Sequence, residues 1–150
     1  AGTFIPLCSY LASNEVLPFL MESGHEVRLH TVVSGGAALE DTFNGLRALA
    51  AHFPEAPLVV WFNEHFGSLE RNGVRFEKSA QYKDLAKRIT AQITLPAVRK
   101  ETFGYDLEQM LSSRLTFEEA FASEDFSIMA RQRLKMIWRG ISAQMDRGAL

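Results

Sequence analysis

Apolar residues follow two patterns along this chain: short continuous runs, and longer stretches in which they recur every three or four positions. The continuous runs are rich in β-branched residues, which indicates buried strands. The spaced apolar residues predict amphipathic helices. The predicted strands are residues 27–33, 57–63 and 89–96. The predicted helices are residues 6–12, 15–21, 36–52, 76–89, 107–113, 117–122 and 127–147.

Strands and helices alternate through most of the chain. This order is typical of an α/β fold in which right-handed crossovers join parallel strands. We therefore expect a partial doubly wound sheet of about three parallel strands with flanking helices. Ligands bind such sheets at the carboxyl ends of the strands, here residues 34–36, 63–66 and 96–99. Residues 64–76 are polar and rich in turn residues around Asn72 and Gly73, and residues 97–106 are expected to be a loop.

Composition limits the classes of function. The chain has 150 residues, 47% hydrophobic and 23% charged, which fits one globular domain. A net charge of −2 gives no general attraction to nucleic acid, and we predict no direct nucleic-acid binding. The single cysteine, Cys8, excludes an internal disulfide, and no apolar run is long enough to cross a bilayer. We expect a cytoplasmic location and, without an initiator methionine, a piece of a longer protein.

The turn after the first predicted strand carries Ser34, Gly35 and Gly36. Glycines at a helix N-terminus can cradle phosphate, so the turn is either a phosphate site or a tight strand-to-helix corner. A Walker-type loop needs a Gly-Lys pair, and the chain contains none. The dinucleotide pattern G-x-G-x-x-G is not matched either. The pattern favours the corner.

Metal and nucleophile chemistry have little support. The histidines are scattered at His25, His30, His52 and His65, far in sequence from Cys8. Metal sites need several such ligands to converge, usually from closely spaced pairs, so we predict no metal site. A Cys8–His pair is the alternative, but the apolar neighbours of Cys8 favour an inert thiol. We predict no catalytic residue in this chain.

Two further segments each have two open interpretations. In residues 63–67, Asn63 either meets a ligand at the strand end or only terminates the strand through its own backbone. Residues 99–101 carry charges that either meet phosphate or are simply exposed.

The last predicted helix has an apolar stripe and basic residues with no acid among them. It either packs on the domain, which we favour, or lies on a membrane surface. The stripe is Leu134, Ile137, Trp138, Ile141 and Met145, and the cations are Arg131, Arg133, Lys135 and Arg139.

Four segments, taken together and in order, resemble the C-terminal portion of the TraL family of conjugal transfer proteins from broad-host-range plasmids. They are "HTVVSGGAALEDTFNGL", "LVVWFNEHFG", "LPAVRKETFGYDLEQMLSSRLTFEEA" and "SIMARQRLK". The resemblance spans nearly the whole chain. That family is identified as a member of the ParA/MinD-like P-loop ATPases.

The resemblance implies that residues 1–150 are the C-terminal part of one ParA/MinD-like ATPase domain. The family's phosphate loop and acidic Mg²⁺ strand lie in the N-terminal half, and residues 1–3 resemble those just after that strand. Asn63 matches the asparagine that reads the adenine edge, and Pro96 matches the proline in the loop beside the base. ATP and Mg²⁺ are therefore implied for the full-length protein. No cofactor and no activity are expected for the chain alone.

The implied function is an ATP-dependent switch in conjugative DNA transfer, acting with other conjugal transfer proteins. The alternative is a non-catalytic interaction module of the transfer or secretion machinery. A three-stranded parallel sheet without its N-terminal strands has an open edge. We therefore expect the chain alone to self-associate, for example as a homodimer, through that edge or through residues 4–20. The alternative is a monomer in which the N-terminal helices fold over the edge.

Overall fold

The computed structural model describes residues 4–71 and 73–150. Five strands and seven α-helices are formed by these residues. The strands are β1 Leu29–Ser34, β2 Leu58–Asn63, β3 Glu70–Arg71, β4 Val74–Arg75 and β5 Ile89–Leu95. The helices are α1 Phe4–Ser13, α2 Val16–Glu22, α3 Leu39–His52, α4 Ala80–Ala86, α5 Tyr105–Ser112, α6 Phe117–Ala122 and α7 Ile128–Arg147.

The main sheet has three parallel strands in the order β1-β2-β5. The central strand, β2, is almost entirely buried, as its continuous apolar run predicted. Ser34 is in register with Asn63, and Asn63 with Leu95, so the three strand ends lie side by side. The α/β prediction with a three-stranded parallel sheet and flanking helices is confirmed.

Helices cover the two faces of this sheet to different extents. On one face, α3 packs on Val33, Val60 and Phe62 in a core completed by Phe76 and Tyr82. On the other face, α7 packs on β2 and β5. Its contacts centre on Val59, Ala91, Ile93 and Ile141. The helix therefore covers the β5 side of that face.

Two smaller cores lie outside the sheet. Helices α5, α6 and α7 enclose Met110, Phe126 and Leu134. Helices α1 and α2 pack on the end of α3 through Leu17, which contacts the cluster of Phe53 and Ala56. Helices α1 and α2 carry large exposed hydrophobic side chains, among them Leu7, Tyr10 and Phe19. The resemblance stated for residues 1–3 lies outside the described residues.

The structure corrects several predicted boundaries. The first strand begins at Leu29 rather than at residue 27. The turn-rich segment 64–76 contains the antiparallel β3–β4 hairpin, whose strands were not predicted. The predicted helix 76–89 is broken because Ser79 is extended and its hydroxyl caps α4 by accepting the Tyr82 N–H. The expected loop at 97–106 contains a π-helical turn, Lys100–Gly104, that runs directly into α5.

Candidate functional site

A largely apolar cavity of about 350 Å³ opens at the carboxyl ends of β2 and β5. It lies where parallel sheets usually bind ligands. Segments following both strands contribute to its wall, and α5, α6 and α7 supply the remainder. The lining residues are Asn63, His65, Phe66, Leu95, Pro96, Val98, Gly104, Leu107, Glu108, Met110, Leu111, Phe117, Ile137 and Ile141.

Asn63 is the last residue of β2, and its side chain has two roles available. Its Oδ1 accepts the backbone N–H of His65 at 3.0 Å, so the side chain does terminate the strand. In the part of the chain that the structure describes, its Nδ2 has no acceptor. An amide oxygen has two lone pairs, so a second donor can still approach Oδ1. Both interpretations of Asn63 are therefore compatible with one geometry.

Pro96 follows β5 and lines the same cavity as Asn63. The two positions flagged by the sequence resemblance are far apart along the chain, and the pairing of β2 with β5 brings their strand ends together. Phe66 is 69% exposed and meets the His65 ring edge-on at 4.9 Å. An aromatic ring of this kind, only partly covered, is suited to packing against a flat ligand.

The sequence did not identify the helical wall of the cavity. Leu107, Phe117 and Ile137 come from three different helices and converge on the strand ends. The sequence predicted the three helices that carry them. It carried no information that all three face the same space, because that depends on how the helices pack together.

The Gly35–Gly36 turn is a tight strand-to-helix corner in which both glycine amides are hydrogen-bonded. The Gly35 N–H donates to the Asn63 carbonyl at 2.8 Å, and the Gly36 N–H donates to the Ser68 carbonyl at 3.2 Å. A phosphate cradle needs such amides to be free. A Cβ atom on Gly35 would also overlap the carbonyl of Gly67. The corner interpretation is confirmed, and the two glycines are explained by the close approach of two backbones.

Charges next to Asn63 are paired within the protein. Arg75 contacts Glu64 at 3.2 Å and Glu77 at 2.9 Å. The hydrogen bond to Glu77 raises the pKa of Arg75 above its ordinary value. Burial acts to raise the pKa of Glu77, but its hydrogen bonds, led by that from Arg75, lower it overall. Glu64 and Glu77 are thus engaged with Arg75. Arg99, Lys100 and Glu101 are exposed.

The other sequence candidates are separate from this cavity. Cys8 and His52 line one groove between α1 and α3, where His52 Nδ1 bonds the Ala48 carbonyl at 2.8 Å. Among residues 4–71 and 73–150, no three His, Cys, Asp or Glu side chains come together in a metal-binding group. Within the described residues, no helix has both the length and the apolar composition needed to cross a bilayer.

The apolar stripe of α7 is engaged in packing. Leu134 and Ile141 are buried, and Trp138 stacks on Phe117 with ring centroids 5.0 Å apart. Arg133 pairs with the buried Asp106, and Lys135 lies 5.6 Å from the centre of the Phe121 ring. These contacts support the packed-helix interpretation over the membrane-surface one.

Two curated proteins that match the chain are both named Protein TraL, from Escherichia coli. They are 46% and 44% identical to it over 151 residues, and both alignments cover 100% of the chain. The chain is homologous to TraL. No protein-family model matches it, and no solved structure matches it.

The chain spans 63% of the length of each TraL relative. The cavity, the sheet and the helices all lie within this aligned span. More than a third of the length of each TraL relative lies outside it. The TraL part of the sequence resemblance is confirmed by this homology. The cavity at Asn63 and Pro96 belongs to the portion shared with TraL.

Proposed function

We propose that this chain is the base-binding portion of a TraL-type protein that acts in plasmid conjugal transfer as a ParA/MinD-like, ATP-dependent switch in the cytoplasm. One observation carries the assignment of a ligand. Asn63 lines an apolar cavity that Pro96 also lines, and its Nδ2 has no acceptor among the described residues. The homology to TraL supports the role in transfer.

The chemistry of the cavity fits adenine. Adenine is a flat ring that offers an exocyclic amine and neighbouring ring-nitrogen acceptors. An asparagine amide can bind both together, donating through Nδ2 and accepting through Oδ1. The apolar wall, including Pro96 and the exposed Phe66, would contact the faces of the ring. A cavity of about 350 Å³ lies within the size range of ordinary ligand sites.

The phosphates and Mg²⁺ do not fit the described residues. The amides of Gly35 and Gly36 are already bonded to backbone carbonyls. Glu64, which follows Asn63 in the chain, is paired with Arg75, as is Glu77. We assign phosphate and Mg²⁺ binding, with any hydrolysis, to the part of a TraL-length protein outside these 150 residues. This chain would then hold and orient the base.

The test compares two ligands in a full-length protein that contains this chain. Replacing Asn63→Ala should weaken ATP binding about fivefold or more, since each lost hydrogen bond costs about 1 kcal/mol. Inorganic triphosphate lacks the base and should bind unchanged. Asn44→Ala, on an exposed part of α3, is the matched control and should alter neither ligand. Equal losses for ATP and triphosphate in Asn63→Ala would show that Asn63 is only structural.

A second candidate is a non-catalytic interaction module that binds another conjugal transfer protein. The exposed side chains of Leu7, Tyr10 and Phe19 on α1 and α2 favour it, because exposed apolar surface often marks an interface. Thermal unfolding of the full-length protein separates the two candidates. A Tm that rises with ATP and Mg²⁺ supports the switch, and a Tm that they leave unchanged supports the module.

A further inference from the structure

Among the described residues, no strand pairs with the outer edge of β1, and the hydrogen bonds to β2 show which residues of β1 face outward. The Leu29 N–H donates to Pro57 at 3.0 Å, and the Gly35 N–H donates to Asn63 at 2.8 Å. Odd-numbered residues therefore bond β2, and the backbone groups of His30 and Val32 point away from the sheet. The next outward amide, that of Ser34, is bonded by Thr42 Oγ1 at 3.0 Å.

The same two residues also leave one face of the sheet uncovered. The side chains of His30 and Val32 lie on the face opposite α3, and Val32 is 48% exposed. Trp61 of β2 adjoins them, donating its Nε1–H to His30 Nδ1 at 3.1 Å. Helix α7 covers this face over β5, where Ile141 packs with Ile93. It leaves the β1 part of the face open.

Parallel sheets are normally covered on both faces, because their strands carry apolar residues on both sides. We propose that a further β-strand pairs with the open edge of β1 at His30 and Val32, and that an adjoining helix covers these residues and Trp61. Both elements come from the part of a TraL-length protein outside these 150 residues. The proposal rests on the homology to longer relatives and is independent of nucleotide binding.

Length and geometry favour this occupant over a second copy of the chain. More than a third of each relative's length lies outside the aligned span. That outside segment is longer than the roughly 30 residues of a strand-helix-strand unit. A second copy pairing along two outward residues would bury little of the roughly 1,200 Å² or more that stable interfaces need.

Hydrogen exchange of the unmodified full-length protein tests the edge. The amides of Thr31 and Val33 bond β2 and should be protected whether or not a further strand is present. The amides of His30 and Val32 should be protected as well only if a further strand pairs with β1. We expect exchange of the His30 and Val32 amides to be slowed at least about 50-fold relative to an unstructured chain. Less protection at these two amides would overturn the proposal.

Photo-crosslinking identifies the occupant. With p-benzoylphenylalanine in place of Val32, we expect a product of monomer mass linked to a peptide outside the 150 residues. A crosslinked dimer would assign the edge to a second copy and overturn the proposal, as would a crosslink within the 150 residues or no crosslink. The same probe in place of Ile128, which is 77% exposed on α7, is the control and should not link to that peptide.

Discussion

Gly35 and Gly67 bring the loops after β1 and β2 into backbone contact. A Cβ atom on Gly35 would overlap the Gly67 carbonyl, and one on Gly67 would lie 2.8 Å from the Gly36 Cα. Gly67 also has a φ of +145°, and Gly36 has a φ of +70°. The contact fixes the loop that follows Asn63, so the geometry of the candidate site depends on it.

Replacing Gly35→Ala should therefore destabilise the protein strongly. The new methyl group meets a backbone carbonyl, which cannot rotate away as a side chain can. We expect the free energy of unfolding to fall by about 3 kcal/mol or more, at the upper end of overpacking effects. Gly45→Ala is the control, because its Cβ meets nothing within 4 Å on α3. It should stabilise by about 0.5–1 kcal/mol, and urea unfolding of both variants tests the difference.

Arg88 holds the carboxyl end of α3 by donating to three carbonyls. The acceptors are those of Ala50 at 2.6 Å, Ala56 at 3.0 Å and Phe53. Arg88→Met should lower the free energy of unfolding by about 2–3 kcal/mol, because half-buried carbonyls lose a charged donor. Lys87→Met removes an exposed neighbouring cation and should change it by less than about 0.5 kcal/mol. Similar losses in urea for both would contradict this role.

Arg133 neutralises Asp106, which is only 3% exposed. Its Nη2 lies 3.1 Å from Asp106 Oδ1, and this hydrogen bonding raises the pKa of Arg133. Arg133→Met should lower Tm by several degrees because it leaves a buried carboxylate unpaired. The double variant Arg133→Met with Asp106→Leu should recover most of that loss. Arg139→Met, on the exposed side of α7, is the control. A double variant no more stable than Arg133→Met would contradict the pairing.

Tyr82 gives the fold a sensitivity to alkaline pH. Burial, with a smaller contribution from the Glu77 charge, raises the pKa of Tyr82 from 10.0 to about 12. Between these values the folded protein keeps a proton that the unfolded chain releases. The free energy of unfolding should therefore fall as pH rises through this window, by at most about 1.4 kcal/mol per pH unit.

The measurement for Tyr82 is urea unfolding at about pH 9 and about pH 11. Tyr82→Phe is the control, because it lacks the ionising hydroxyl that accepts the Gln92 amide at 2.5 Å. The variant should lose less stability than the parent between the two pH values. An equal loss in both proteins would assign the alkaline sensitivity to other groups.

The 150-residue chain alone should bind ATP weakly. If it contacts only the base, the Kd for ATP should be no tighter than about 1 mM, or about −4 kcal/mol. Adenosine should bind within about threefold of ATP, because the phosphates would add no contact. Calorimetric titration compares the two ligands. Micromolar ATP affinity, or a large preference for ATP over adenosine, would mean that these residues do bind phosphate.

Local patterns in the sequence were sufficient to predict the three strands of the main sheet. Continuous apolar runs located β1, β2 and β5, and the order of elements predicted that they are parallel. Asn63 and Pro96 were placed at strand ends for the same reason. The alternation of side chains and the length of an apolar run are properties of neighbouring residues, so they can be read before any tertiary contact is known.

The tertiary structure alone decided how distant segments meet. Gly35 and Gly36 looked like either a cradle or a corner until the loop at Gly67 was seen to occupy the space beside them. Arg88 finds its three carbonyl acceptors at the end of α3, more than 30 positions earlier in the chain. Each of these outcomes depends on contacts between residues far apart in sequence, and local periodicity carries no information about which distant residue fills a given space.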